Sequence, residues 1–287
     1  MLQRKKIAII GYGYVGKAMT KFFSHRYEVI AYDPIVQNVL DYSNSHIGTT
    51  IACKNAINDC DVAVVCVPTE PKEDGRCDTS IVEEVMDWIF ESSSDKLIIL
   101  KSTVEPGTTD RLRLYYDKQI IFSPEYAGES TYWSPYSFDR DVIETPFFTF
   151  GGQKEATQKA VDLYMPLGGP TKKYLQTDAK TVEMVKYITN CFYATKVAFC
   201  YEIANVCEKM GIDYSEAREL WLQDPRVNPM HTAVFAENDL PFGGKCLPKD
   251  LSALTTFAQN AGYDASLLQA VIDTNERIGK YRKSQRK

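Results

Sequence analysis

The sequence predicts an α/β protein in which a doubly wound parallel sheet, with helices on both faces, precedes a mainly helical domain. Three observations carry this. A glycine turn, GYGYVG, sits between an apolar strand and a helix at the start of the chain. Continuous apolar runs then alternate with helical stretches, the pattern of strands buried on both sides. Beyond about residue 175 the apolar residues recur at helical spacing instead. We divide the chain into domains 1–174 and 175–287.

The elements follow in order. KIAII is the first strand and KAMTKFFS the helix after the turn. YEVIAYDP is the second strand, ending at Asp33 about 20 residues after the first glycine. Further strands are DVAVVCVP (61–68), KLIILKST (96–103) and QIIFSPE (119–125), separated by helical stretches such as TSIVEEVMDWIFESS. After FFTFGG and the Gly/Pro-rich MPLGGPTKK comes a long helix from about Thr177 to Met210, ending before Gly211, with apolar positions Val182, Val185, Ile188, Phe192, Val197, Ile203 and Val206. Further helix is expected in YSEARELWL and from Leu251 to about Lys280.

The placement of the glycines points to a Rossmann-type dinucleotide site. Gly11 permits the tight turn, Gly13 lets backbone approach a pyrophosphate and Gly16 lets the helix pack close to the strand, with Tyr14 and Val15 opening that helix. An acid at Asp33 binds a ribose and repels a 2′-phosphate, favouring NAD over NADP; its other reading is a turn-initiating Asp before Pro34. Ligands of such sheets bind at the carboxyl ends of the strands, where Pro68, Thr69, Ser102, Thr103 and Glu125 fall.

A net charge of -5 over 287 residues argues against general nucleic-acid binding. No apolar run reaches the roughly 20 residues of a membrane span, and no signal peptide is expected. The eight cysteines show no CxxC pair or zinc spacing, so reduced thiols, a cytoplasmic protein and no metal are expected. Seven cysteines sit in strands, helices or unremarkable contexts, whereas Cys246 lies in PFGGKCLPKD between Lys245 and Lys249, whose charge favours a thiolate. A helical turn there returns Asp250 beneath Cys246, and Lys186 and Asn190 share one face of the long helix. Beside an NAD site, such a thiolate implies aldehyde oxidation through a thiohemiacetal and thioester.

GYGYVG, VCVPTEP with GRCDTSIV, KSTVEPGTTD, SPEYAGES, TDAKTVEMVKYITNCFYATKVAFCYEIANVCEKMGID and PFGGKCLPKD occur in the order of the UDP-glucose/GDP-mannose dehydrogenase family, which the chain resembles over about residues 4–280. The resemblance implies four-electron oxidation of a nucleotide-linked sugar alcohol to its carboxylate with two NAD+, a homodimer and a part in polysaccharide biosynthesis. Cys246 resembles the nucleophile, Lys186 and Asn190 the groups that hold the oxyanion, and Asp250 a carboxylate managing protons. Thr103 resembles a water-holding residue at the nicotinamide end, Glu125 the carboxylate of thioester hydrolysis, and Glu129 a residue near the nicotinamide. Phe242, Gly243, Gly244 and Lys249 resemble substrate contacts, and Arg226 an arginine reaching the substrate across a dimer. The chain resembles a short form lacking the C-terminal nucleotide-binding domain, and it carries Lys245 where serine is usual. Two other readings share parts of the pattern: a β-hydroxyacid or 6-phosphogluconate-type dehydrogenase, and a catalytically silent dimeric NAD-binding module.

Overall fold

The structure, a computed structural model, describes residues 5–36, 49–51, 57–91, 95–126, 141–235, 238 and 240–285. The chain forms two compact units, a sheet unit of Met1–Glu70 with Asp78–Val185 and a helical unit of Pro71–Cys77 with Lys186–Lys287.

In the sheet unit the strands β1 (Lys6–Ile10), β2 (Glu28–Tyr32), β3 (Thr49–Ile51), β4 (Val62–Val65), β5 (Leu97–Leu100), β6 (Gln119–Phe122), β7 (Phe147–Gly151) and β8 (Lys173–Thr177) form one sheet in the order β3-β2-β1-β4-β5-β6-β7-β8. All neighbours are parallel except β6 and β7. The helices α1 (Tyr14–Ser24), α2 (Ser80–Glu91), α3 (Thr108–Tyr116) and α4 (Lys154–Gly168) cover it. Strand alternation sends side chains into two apolar layers. Ile7, Ile9, Val62, Val64 and Ile99 join the layer with Phe22, Phe23 and Tyr164, while Ala8, Ile10, Ala63, Val65 and Ile98 join the layer with Val85, Met86 and Leu112. Both faces of the central strands β1, β4, β5 and β6 are therefore largely dry, which is why these strands read as unbroken apolar runs. Strand order reverses between β1 and β4, the place where such sheets take a ligand.

The long helix α5 (Ala179–Met210) crosses from one unit into the other in sequence, with the change at Val185 and Lys186; β8 and the first two turns of α5 belong with the sheet. Glu183, fully buried there, accepts from the backbone amides of Gly107 at 2.5 Å and Thr109 at 2.8 Å, so it satisfies the open amino end of α3. Burial raises its pKa, and the two amide bonds oppose that rise. Glu183→Ala is expected to lower unfolding free energy by about 2–4 kcal/mol, since a buried and a half-buried donor lose their acceptor. A folded pKa above the unfolded one gives stabilisation that is complete below the unfolded value and is lost as pH rises through the folded value. Wild type relative to Glu183→Gln is accordingly expected to lose stability from about pH 4.5 upward, which urea unfolding across pH 4–8 checks.

The helical unit adds α6 (Tyr214–Trp221), α7 (Cys246–Asn260) and α8 (Ser266–Gln285). Its core contains Cys191, Ala194, Val197, Ala198, Tyr201, Phe242, Leu251, Val271 and Ile278. The apolar stripe expected for α5 is only partly covered: Val182 and Val197 are buried, but Val185, Ile188, Phe192 and Val206 are exposed, with Phe199 and Met210 beside them. The buried face runs instead through small residues and tyrosine, clustered with Leu251 of α7 and Val271 and Ile278 of α8. No helix among the described residues is long and apolar enough to cross a membrane.

Candidate active site

The glycine turn follows β1 directly. Gly11 has φ +89°, and a Cβ there would lie 2.7 Å from the Cys66 carbonyl oxygen; at Gly16 it would lie 1.9 Å from the Gly11 carbonyl oxygen. Gly13 caps α1 with no side-chain hydrogen bond, no acid lies in the first turn, and a Cβ at Gly13 would meet nothing. The turn thus offers open amides and partial positive charge with clear space in front of them, which fits a dinucleotide pyrophosphate. Tyr14 is exposed and Val15 half-buried at the start of α1.

Asp33 stands one residue past β2. Its Oδ2 accepts from Tyr12 N at 2.7 Å, and its Oδ1 from Ile35 N at 2.9 Å and Val36 N at 3.2 Å. It therefore braces the glycine turn and starts the bend at Pro34, and a carboxylate with four lone-pair sites keeps one for a ribose hydroxyl. At the ends of β4 and β5, Thr69 Oγ1 donates to the Thr103 carbonyl at 2.8 Å and Ser102 Oγ to the Val67 carbonyl at 2.7 Å. Pro68 is exposed and Thr103 half-buried. Glu125 is buried past β6, where its Oε2 lies 3.4 Å from Lys101 Nζ and its Oε1 accepts from Tyr126 N at 2.9 Å. Both side chains of the Lys101–Glu125 pair are almost wholly out of water, so each is the other's buried charge partner. Glu129 lies outside the described residues.

In the helical unit, Cys246 is the first residue of α7 and is exposed, the one exposed cysteine among those described. The others described are buried or, at Cys66, half-buried, and burial pushes the thiols of Cys66 and Cys191 up to about 12 and that of Cys60 to about 11. No acid occupies the first turn of α7, so Cys246 stands at the uncompensated positive end of a 15-residue helix. Asp250, one turn on and 1% exposed, accepts from Asn190 Nδ2 at 2.5 Å and from Lys249 Nζ at 2.6 Å. The Cys191 thiol adds a contact of 3.7 Å to the Asp250 carbonyl. Asn190 spends one amide hydrogen on Asp250 and has a second to offer. Lys186 is half-buried one turn back on α5.

The charge of Lys249 is taken up by Asp250, leaving Lys245 and the helix end as the positive groups nearest the sulfur in sequence. Phe242 buries its ring in the apolar core, and its backbone pairs with the side chain of Asn275. Gly243 and Gly244 are exposed, Gly244 with φ +73°. Arg226 is exposed and folds back on Asp224 at 2.6 Å. Sequence reasoning missed Lys101 and Asn275. The signals were a lysine ending the apolar run LIIL and an asparagine within the α8 stripe Val271, Asn275, Ile278.

Two family models match the chain: the UDP-glucose/GDP-mannose dehydrogenase family NAD binding domain over residues 28–167 and the central domain of the same family over residues 180–277. A UDP-glucose 6-dehydrogenase, TuaD, of Bacillus subtilis is 30% identical over 95% of this chain, and the chain spans 63% of that relative. A UDP-glucose 6-dehydrogenase of Rickettsia bellii is 29% identical over 94% of the chain, which spans 66% of it. A solved UDP-glucose dehydrogenase from Pyrobaculum islandicum has the same fold, with TM-score 0.81 at 23% identity over 96% of this chain and 68% of that one.

Proposed function

The chain belongs to the UDP-glucose/GDP-mannose dehydrogenase family and has its NAD-binding domain, and from this premise we propose that it oxidises the C6 alcohol of a nucleotide-diphospho-sugar, such as UDP-glucose, to the carboxylate through covalent bonds to Cys246. The observation that carries the reading is the exposure of Cys246 at the start of α7, with Asp250 one turn below it bonded to Asn190.

NAD+ supplies hydride acceptance, twice per substrate. In the sheet unit the open end of α1 holds its pyrophosphate and Asp33 its ribose. As the first hydride leaves C6 the alcohol proton is released, giving an aldehyde. The Cys246 thiolate adds to the aldehyde carbon, forming the C–S bond, and the oxyanion is met by Lys186 and the second amide hydrogen of Asn190. Loss of the second hydride makes a thioester. Water held through Thr103 loses its proton to Glu125 and adds to the acyl carbon, breaking the C–S bond and returning the thiol. One alcohol, two NAD+ and one water give one carboxylate, two NADH and three protons. Asp250 holds Asn190 in place and takes part in proton balance, while Gly243, Gly244 and Lys249 contact the sugar nucleotide and Phe242, its backbone taken up by Asn275, anchors their loop.

The test is a panel of UDP- and GDP-sugars with NAD+, read as NADH per sugar consumed. Two per sugar supports the reading, and no turnover alongside intact NAD binding opposes it.

The exposed apolar stripe of α5, with Phe199 and Trp221 6.3 Å apart, supports a homodimer that covers it and brings Arg226 to a second copy's substrate. A charge placed in such a buried face costs about 3–5 kcal/mol. Phe199→Glu is expected to weaken dimerisation by at least about 100-fold in sedimentation equilibrium. We place the protein in the cytoplasm, where thiols stay reduced, serving polysaccharide precursor synthesis.

A further inference from the structure

We infer that Asn275 is a positioning residue for Cys246, clamping the backbone of Phe242 and so fixing the loop that presents the thiol. This rests on the reading of Cys246 as nucleophile and extends it. Phe242 N donates to Asn275 Oδ1 at 3.0 Å, and Asn275 Nδ2 donates to the Phe242 carbonyl at 3.1 Å, both within the buried interior. A planar amide that takes one residue's donor and acceptor together holds it as a neighbouring strand would, fixing orientation as well as position.

The three residues between this clamp and the thiol have little else to hold them. Gly243, Gly244 and Lys245 are exposed, and a Cβ at either glycine would meet nothing within 4 Å. Lys245 caps α7 without a side-chain hydrogen bond. Two glycines carry more backbone freedom than any other pair. The loop is therefore determined by its ends. Downstream, Asp250 is tied to Asn190 and Lys249. Upstream, the last fixed point is Phe242.

One face of α8 serves the whole approach. Seven residues after Asn275, Arg282 lies 4.6 Å over the Tyr201 ring and donates to the carbonyls of Phe235 at 2.7 Å and Asn238 at 3.2 Å. Releasing Phe242 lets the sulfur wander, and a misplacement near 1 Å costs on the order of 100-fold in rate.

The test uses the full chain. By hydrogen exchange, the Phe242 amide of wild type is expected to be protected while those of Gly243 and Gly244 exchange quickly; fast exchange at Phe242 overturns the inference. Iodoacetamide labelling of Cys246 against pH, mapped by peptide mass, is then compared in wild type, Asn275→Ala and Asn275→Asp. The alanine variant is expected to shift the labelling midpoint upward, toward an ordinary cysteine near about 8.5, as the first turn of α7 frays. It is also expected to cut acid formation by about 10- to 100-fold while KM for NAD+ holds. The aspartate variant is only a partial substitute: Asn275→Asp keeps the acceptor for Phe242 N but loses the donor, and an intermediate shift is expected. Either variant folding as wild type with unchanged labelling and turnover overturns the inference. Exchange and labelling need no substrate, so a wild-type chain that turns over no sugar nucleotide counts against the dehydrogenase reading alone.

Discussion

Cys246→Ser is expected to reduce carboxylate formation by on the order of 10⁴-fold or more, with NADH falling from two to one per sugar and aldehyde accumulating. The first hydride leaves before any C–S bond exists, so alcohol oxidation is expected to stay within about tenfold of wild type. A serine hydroxyl at the same helix end remains protonated, because the partial charge of a helix terminus is far too small to ionise an alcohol. Without a covalent adduct the aldehyde leaves as its hydrate. Product analysis by mass, alongside absorbance of NADH, separates the two oxidations. A β-hydroxyacid dehydrogenase would keep its turnover in this variant, since its chemistry has no place for a thiol.

Gly16→Ala is expected to weaken NAD binding by about 100-fold, close to 2.7 kcal/mol, and to lower stability by about 1–3 kcal/mol. The added carbon would lie 1.9 Å from the carbonyl oxygen of Gly11, a backbone atom that cannot rotate away. Relief requires the glycine turn to move off α1, spoiling the set of amides that meets the pyrophosphate. Gly13→Ala is the control for the stability effect, because its Cβ meets no protein atom, and it is expected to unfold as wild type does. If Gly13→Ala also loses binding, that loss reports contact with the dinucleotide itself. Calorimetry with NAD+ and thermal unfolding measure the two effects separately.

Much of this was visible in the residue pattern. The strands β1, β4, β5 and β6 are continuous apolar runs because both faces are covered, and the glycine turn was recognisable because it stands between a strand and a helix. By contrast β8 is an edge strand with mostly exposed, mixed side chains, KYLQT, and has no such signature. The four-residue spacing of Cys246 and Asp250 anticipated their helical turn. The bond from Asn190 to Asp250 joins residues 60 apart, and the Phe242–Asn275 clamp residues 33 apart; local periodicity cannot see either. Sequence proximity was also misleading at Lys249, whose charge stands near the thiol along the chain but is neutralised by the adjacent Asp250 carboxylate. In α5 the conspicuous large residues mark the uncovered side, because the covered side is built from smaller ones such as Cys191, Ala194 and Ala198.

The most direct test of the account is the mass of the Cys246 peptide after Glu125→Gln protein is turned over with NAD+ and the sugar-nucleotide panel and quenched in acid. Slowed hydrolysis is expected to leave the sugar acyl group on that peptide as a thioester. Carboxylate production with Cys246 unmodified, or an adduct on another cysteine, would contradict it.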